Sequence, residues 1–316
     1  MNKKVNKKNS SVVLLRKNMK RHWQLYLLML PAILNALFHQ YGPMYGVQIA
    51  FREYRPRDGI WGSEWVGLKY FIDFVTDPKF QQIFVNTIAV SLYSLLTFPL
   101  PIILAILLNC MQSKRYRGLV QNVVYVPHFI SVTVLVGIIQ MVLSPVSGVY
   151  GAVYRLFGGA GYPTDIRALA ASFRHLYVWS GAWQEIGWGS ILYTSALAAV
   201  SIELHEAAKI DGASRFKRIF YIDLPAIMPT VAIMLIMRVG SLVGAGFDKC
   251  YLLQSNLNLS TSEVISTYVY KKGLSSIYNY SYGTAISLFN TIINVILMLL
   301  ANHICKKVTD GEISYF

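Results

Sequence analysis

Six long apolar runs alternate with short polar stretches along the 316 residues of the chain. They cover roughly residues 23–50, 83–110, 118–144, 176–202, 226–247 and 282–305. Each is long enough to carry an α-helix across a bilayer, which takes about 20 mostly apolar residues. Soluble core helices rarely run so far without a polar face. The pattern therefore predicts an all-α membrane protein with six transmembrane helices. The first run has no Asp, Glu, Lys or Arg between His22 and Phe51, and it reads as an anchor rather than a cleaved signal peptide. The expected organisation is a basic N-terminal segment over 1–22, a membrane domain over 23–305 and a C-terminal tail over 306–316.

Composition agrees: 54% of residues are hydrophobic, 14% are charged, and mean hydropathy is +0.43. A soluble domain carries about 25% charged residues. The net charge of +14 fits either nucleic-acid binding or basic cytoplasmic loops. Position decides between them. The segment before the first run and the links after the second, fourth and sixth together hold 17 Lys and Arg, against 11 in the longer opposite loops. The positive-inside rule then puts both termini in the cytoplasm. Cys110, Cys250 and Cys305 lie far apart in sequence, and they read as small apolar residues.

The link between the fourth and fifth runs, EAAKIDGASRFKRIFYIDLP from Glu206 to Pro225, holds more pattern than a connector needs. Glu206 to Ile210 are helix-compatible residues, Asp211-Gly212 is a turn signal, and Ser214 can cap a second helix. Phe216, Ile219 and Phe220 then share one face, and Pro225 is expected to end the element. An amphipathic helix lying on lipid headgroups is one reading of this stretch. A DNA-binding helix-turn-helix is another, but about 20 tethered residues leave no room for a three-helix module.

The spacing Glu206-Ala207-Ala208, Gly212, Ile222-Asp223-Leu224-Pro225 resembles the EAA motif of binding-protein-dependent ABC importer permeases, and it matches the family form at every position. Stretches elsewhere resemble the carbohydrate-uptake class, and most of all its permeases for complex oligosaccharides. These are HWQLYLLMLPA at 22–32, GPMYGVQIAF at 42–51, WVGLKYF at 65–71, PLPIILAILLN at 99–109, VPHFIS at 126–131 and EIGWGSILY at 185–193. The resemblance implies a type I ABC importer permease fold in a bacterial cell membrane. It also implies a cytoplasmic coupling helix that docks on a separate ATPase, with Glu206, Ala207, Ala208, Asp211, Gly212, Ala213 and Phe216 as coupling residues. The partners it implies are a second, similar permease chain, two ATPase subunits that carry the ATP and Mg, and an extracytoplasmic solute-binding protein. No cofactor is expected on this chain.

The missing motifs point the same way. No G-x-x-x-x-G-K-[ST] loop occurs, and the dipeptide Gly-Lys is absent. The six histidines form no H-x-x-x-H pair. The chain is therefore not expected to be an enzyme. A membrane glycosidase would canonically need two carboxylates, whereas only Glu185 falls within the runs.

Ionisable residues inside membrane spans are costly, about 2.5–3.5 kcal/mol for Arg or Asp at mid-bilayer, and tend to mark function. Glu185 falls in the fourth run and Arg238 in the fifth. Two readings stand side by side: a mutual ion pair, or a polar floor for a translocated sugar. Trp188 shares a helical face with Glu185, Trp183 is offset from it, and Ser241 shares a face with Arg238. These five residues are the candidate substrate contacts, because aromatic rings with a few polar groups are the usual lining of a ligand site. The tryptophans also fit an interfacial belt. Pro99, Pro101 and Pro127 should kink or break the second and third spans. The sequence thus reads as an oligosaccharide permease subunit. A permease for another small solute and a stand-alone secondary transporter are the alternatives.

Overall fold

The computed structural model describes residues 21–244, 246–275 and 279–308. The N-terminal segment 1–22 and the tail 306–316 lie almost wholly outside the described residues. The chain forms two compact units, one ending at Lys69 and the other beginning at Tyr70.

In the first unit α1 (Trp23–Ala36) continues through a π-helical turn at Leu37–Tyr41, a short helix at Gly42–Met44 and a 3-10 stretch at Tyr45–Phe51. Pro43 withholds one backbone donor, and the π turn lies just ahead of it. Every residue of α1 is at least partly exposed, as suits an apolar helix meant for lipid. The all-α expectation needs a correction at the next stretch. The strands β1 (Arg52–Arg55) and β2 (Ser63–Trp65) pair antiparallel, with Arg52 opposite Trp65. Ser63 holds the hairpin: its Oγ accepts from the Arg55 amide and donates to the Gly59 carbonyl. The Arg52 guanidinium donates to the Ser63 carbonyl at 2.8 Å and lies over the rings of Trp61 and Trp65.

The second unit is built around α6. Its leading helices are α2 (Phe80–Leu95) and α3 (Pro99–Asn109), joined by a three-residue turn where Pro99 opens the second helix. Then come α4 (Lys114–Tyr125), capped by Ser113, and α5 (Val132–Val142), capped by Ser131. Between them a 3-10 turn at Val126–Phe129 contains Pro127, and the two helices meet at a 98° bend. The expected break at Pro127 is therefore a corner. α6 (Ala170–Ala198) begins six residues before the apolar run and ends four before its end. It is followed by α7 (Ile202–Ile210), α8 (Arg215–Arg218) and α9 (Leu224–Gly240). Last come α10 (Phe247–Leu253) and α11 (Tyr280–Val308).

A second correction concerns Pro225. It does not end an element: helix runs without interruption from Arg215 to Gly240. A π-helical turn at Ile219–Asp223 precedes the proline, which sits in the first turn of α9. The wider turn re-pairs the backbone around the missing N–H. The fifth helix also stops at Gly240, short of the expected 247.

Three buried clusters hold this unit, and α6 contributes to two of them. Ala105, Tyr193, Leu197 and Ile227 join α3, α6 and α9. Val90, Val136, Phe173, Cys250 and Leu253 join α2, α5, α6 and α10. The third gathers Phe74, Ile83, Val243, Tyr268 and Ile286. Beside the start of α2, Asp77 accepts from the Lys79 amide at 2.8 Å and from the Tyr268 hydroxyl. Burial opposes its ionisation, but these bonds and the Lys272 charge outweigh it and hold the carboxyl below the usual range.

Among the described residues, Phe80–Asn109, Arg215–Gly240 and Tyr280–Lys307 are each long and apolar enough to cross a membrane, and the bent pair Lys114–Phe129 with Val132–Val142 makes a fourth.

One close approach fixes where the corner meets α6. A Cβ on Gly187 would overlap the Val124 carbonyl oxygen and crowd the Tyr125 ring. Small residues let membrane helices come this near. Gly187→Ala should cost about 1–3 kcal/mol through overpacking, read as a lower thermal unfolding midpoint in detergent. A midpoint equal to that of the parent protein would remove this contact from the account. Acid should weaken the Asp77 anchor as well. A lowered carboxyl contributes stability that is complete above its ordinary value of about 3.9 and is lost as pH falls through the folded-state value. Asp77→Asn should therefore flatten the stability profile below about pH 4, and an unchanged profile would count against the anchor.

Candidate functional site

Two regions gather the residues singled out from sequence. The first is the hairpin of α7 and α8. Ser201 caps α7 by accepting from the Glu203 amide, and Ser214 caps α8 by accepting from the Lys217 amide. Between the helices Gly212 has φ +75°, a left-handed conformation that costs an L-residue with a Cβ roughly 1–2 kcal/mol. Glu206, Ala207, Asp211, Gly212 and Phe216 are exposed, while Ala208 and Ala213 are half-buried. Of the expected apolar stripe, Phe216 is 75% exposed and Phe220 is exposed, while Ile219 is half-buried; Ile210 and Tyr221, outside that stripe, are exposed beside it. His205 ties the hairpin to the long helix, with Nε2 at 3.3 Å from Asp223 Oδ1.

The second region is a cavity of about 520 Å³, lined by the α2–α3 junction, the start of α5, one face of α6, the end of α9 and the start of α10. Glu185, Trp188 and Arg238 all line it. His128, at the corner before α5, stacks on Trp188 with ring centroids 4.3 Å apart and planes within 2°. The same imidazole places Nδ1 at 3.1 Å from Glu185 Oε2. So the partner of Glu185 among the described residues is His128, and no ion pair with Arg238 forms. Phe129 meets Trp188 edge-on, which fixes the indole from a second side. Gln184 Nε2 donates to the Ile130 carbonyl at 2.6 Å, pinning α6 to the corner.

Two of the expected residues fall elsewhere. Trp183 is two positions from Glu185, roughly 200° around the helix. It lines a separate apolar groove with Trp179, Leu135 and Ile138. Trp179 donates from Nε1 to the Tyr93 hydroxyl at 2.8 Å. Ser241, beyond the last turn of α9, donates back to the Arg238 carbonyl and is absent from the cavity lining. The cavity in turn contains residues that sequence reasoning passed over: Tyr177, Asp248 and Lys249. A charged pair immediately after an apolar run was the available signal for the last two.

Comparison with known proteins agrees with this geometry. A family model described as binding-protein-dependent transport system inner membrane component matches residues 98–310. Protein LplB of Bacillus subtilis (strain 168) is 42% identical over 290 residues, covering 92% of this chain and 90% of its own. The polygalacturonan/rhamnogalacturonan transport system permease protein YteP of the same organism is 39% identical over 284 residues, covering 90% of this chain and 88% of its own. A crystal structure of a bacterial ABC transporter involved in the import of the acidic polysaccharide alginate includes a chain that superposes with a TM-score of 0.83 at 36% identity, covering 93% of this chain and 99% of that one. The chain belongs to the family of binding-protein-dependent transport system inner membrane components.

Proposed function

We propose that this chain is the transmembrane permease subunit of an ATP-driven ABC importer, which takes up oligosaccharides handed over by an extracytoplasmic solute-binding protein. The observation that carries the reading is the hairpin: two capped helices around a left-handed glycine turn, showing Ile210, Phe216 and Tyr221 to the outside. Exposed apolar patches rimmed by charge are sites of association. We assign Glu206, Ala207, Ala208, Asp211, Gly212, Ala213 and Phe216 to docking on a separate ATPase subunit, which would hold the ATP and Mg. A stand-alone secondary transporter has no use for such a surface.

The topology proposed is six spans within a permease domain over 23–305, with the bent pair counted as one crossing and 23–51 and α6 as two more. The excess of Lys and Arg on one side supports cytoplasmic termini, at 1–22 and 306–316. A second permease chain would complete the translocation path. ATP binding would draw the docked hairpins together. The helix from Arg215 to Gly240 would carry that displacement to Met234 and Arg238 at the cavity. Such a cycle needs only that ATP bind one conformation better than the other.

For the cargo, Trp188 offers an indole face to a sugar ring, and Glu185 and Arg238 offer hydrogen bonds to hydroxyl groups. Relatives described as permeases or importers for polygalacturonan and alginate support an oligosaccharide over a smaller solute.

Glu206→Lys should leave the chain at normal levels in the membrane while ATP-driven uptake falls to background and less ATPase co-purifies. Normal uptake would refute the docking role. Trp188→Ala should raise the KM for oligosaccharide uptake about tenfold, the equivalent of about 1.4 kcal/mol, while Trp188→Phe keeps most of the affinity. An unchanged KM in the alanine variant would leave Trp188 with only its packing role beside His128 and Phe129.

A further inference from the structure

Three charged side chains are buried among the described residues: Asp223, Lys249 and Glu263. Glu263 receives both Lys79 and Lys271 at 3.3 and 3.1 Å, and Asp223 has the His205 imidazole 3.3 Å away. Lys249, 8% exposed, has no such partner among the described residues. Its Nζ lies 5.0 Å from the centroid of the Tyr177 ring and against α6, where a Cβ on Gly181 would stand 3.0 Å from it. Tyr177 is itself held in place by the Gly246 amide, which donates to its hydroxyl at 2.9 Å.

Among the described residues no carboxylate stands within ion-pair distance of this ammonium. Glu185 attracts it through space but makes its short contact with His128, at 3.1 Å. Asp248 is exposed in the first turn of α10, where the positive end of the helix favours a carboxylate. Arg238 is a second cation on the lining with no carboxylate within ion-pair distance among the described residues. Buried charges in proteins are normally paired, and an unpaired one inside a membrane protein marks the path of an ion or ligand.

We propose that Lys249 is the charge-reading residue of this cavity: its ammonium pairs with a carboxylate on the cargo, so the permease favours acidic over neutral oligosaccharides. Arg238 lines the same cavity and adds to the attraction. Tyr177 keeps the ammonium facing the cavity in the interval when no cargo is bound. The inference rests on the importer reading above.

The test uses the complete complex in proteoliposomes, with its ATPase and binding protein. Uptake of trigalacturonate is compared with uptake of its fully methyl-esterified counterpart, and the readout is the ratio of the two. Lys249→Met should lower the acid-to-ester ratio about tenfold, and Lys249→Arg should restore most of it. An unchanged ratio in Lys249→Met, or an equal loss of both substrates, overturns the inference. So does failure of both variants to assemble, because the residue then belongs to the packing. Wild-type complex that imports the ester and excludes the acid overturns this inference and leaves the importer reading intact. Wild-type complex that imports neither these two nor any oligosaccharide bound by its solute-binding protein overturns both.

Discussion

The passage of the α4 backbone over Gly187 is the contact on which the cavity depends. A backbone carbonyl takes the space of a side chain, so the corner at Val126–Phe129 can sit directly on the middle of α6. From there His128 lies flat on Trp188 and reaches Glu185. In hydrocarbon no water satisfies stray backbone groups. The corner supplies a partner for Glu185 at the cavity wall, while the Gln184 bond to Ile130 satisfies part of the corner's own backbone. Packing and polar satisfaction are here one arrangement, and loosening either would open the other.

A second dependence runs along the helix from Arg215 to Gly240. At about 1.5 Å per residue its 26 residues extend about 39 Å. One end belongs to the exposed hairpin and the other lines the cavity. A break at Pro225 would have separated them mechanically. The π turn at Ile219–Asp223 keeps the rod continuous and places Asp223 opposite His205. The hairpin is thus joined to the long helix by covalent continuity and by the contact of His205 with Asp223.

Much of this was legible in the sequence because the signals were local. Gly212 in the left-handed region, the cap at Ser214 and the bend at Pro127 each follow from a few neighbouring residues. Helical periodicity marks Trp183 as offset from Trp188, since 300° and 200° from Glu185 are different faces, but it did not remove Trp183 from the expected substrate contacts. What stayed hidden depends on distant parts of the chain. Nothing near position 249 indicates Tyr177, which lies on another helix. The β-hairpin was missed because its order comes from Ser63 bonding back across the turn and Arg52 covering two tryptophans, and no alternation of apolar residues announces it. Pro225 misled because a proline is ordinarily read as a stop, and a π turn ahead of it cannot be inferred from composition.

The energetics of Lys249 bear on how such a cavity can exist before cargo arrives. Burying an ammonium costs several kcal/mol even after relaxation. A cation–π contact with one ring returns about 2 kcal/mol when desolvated, and Glu185 attracts the ammonium only from beyond ion-pair distance. The contacts of the described residues therefore balance the charge only in part. The remainder must come from what occupies the cavity, whether solvent in the empty state or an anion in the loaded one. A fully paired lysine, like those on Glu263, would stabilise the fold more and offer an incoming anion less. Leaving the ammonium beside a neutral ring makes the loaded state the better-satisfied one, and that difference is the form of energy an alternating-access cycle can use.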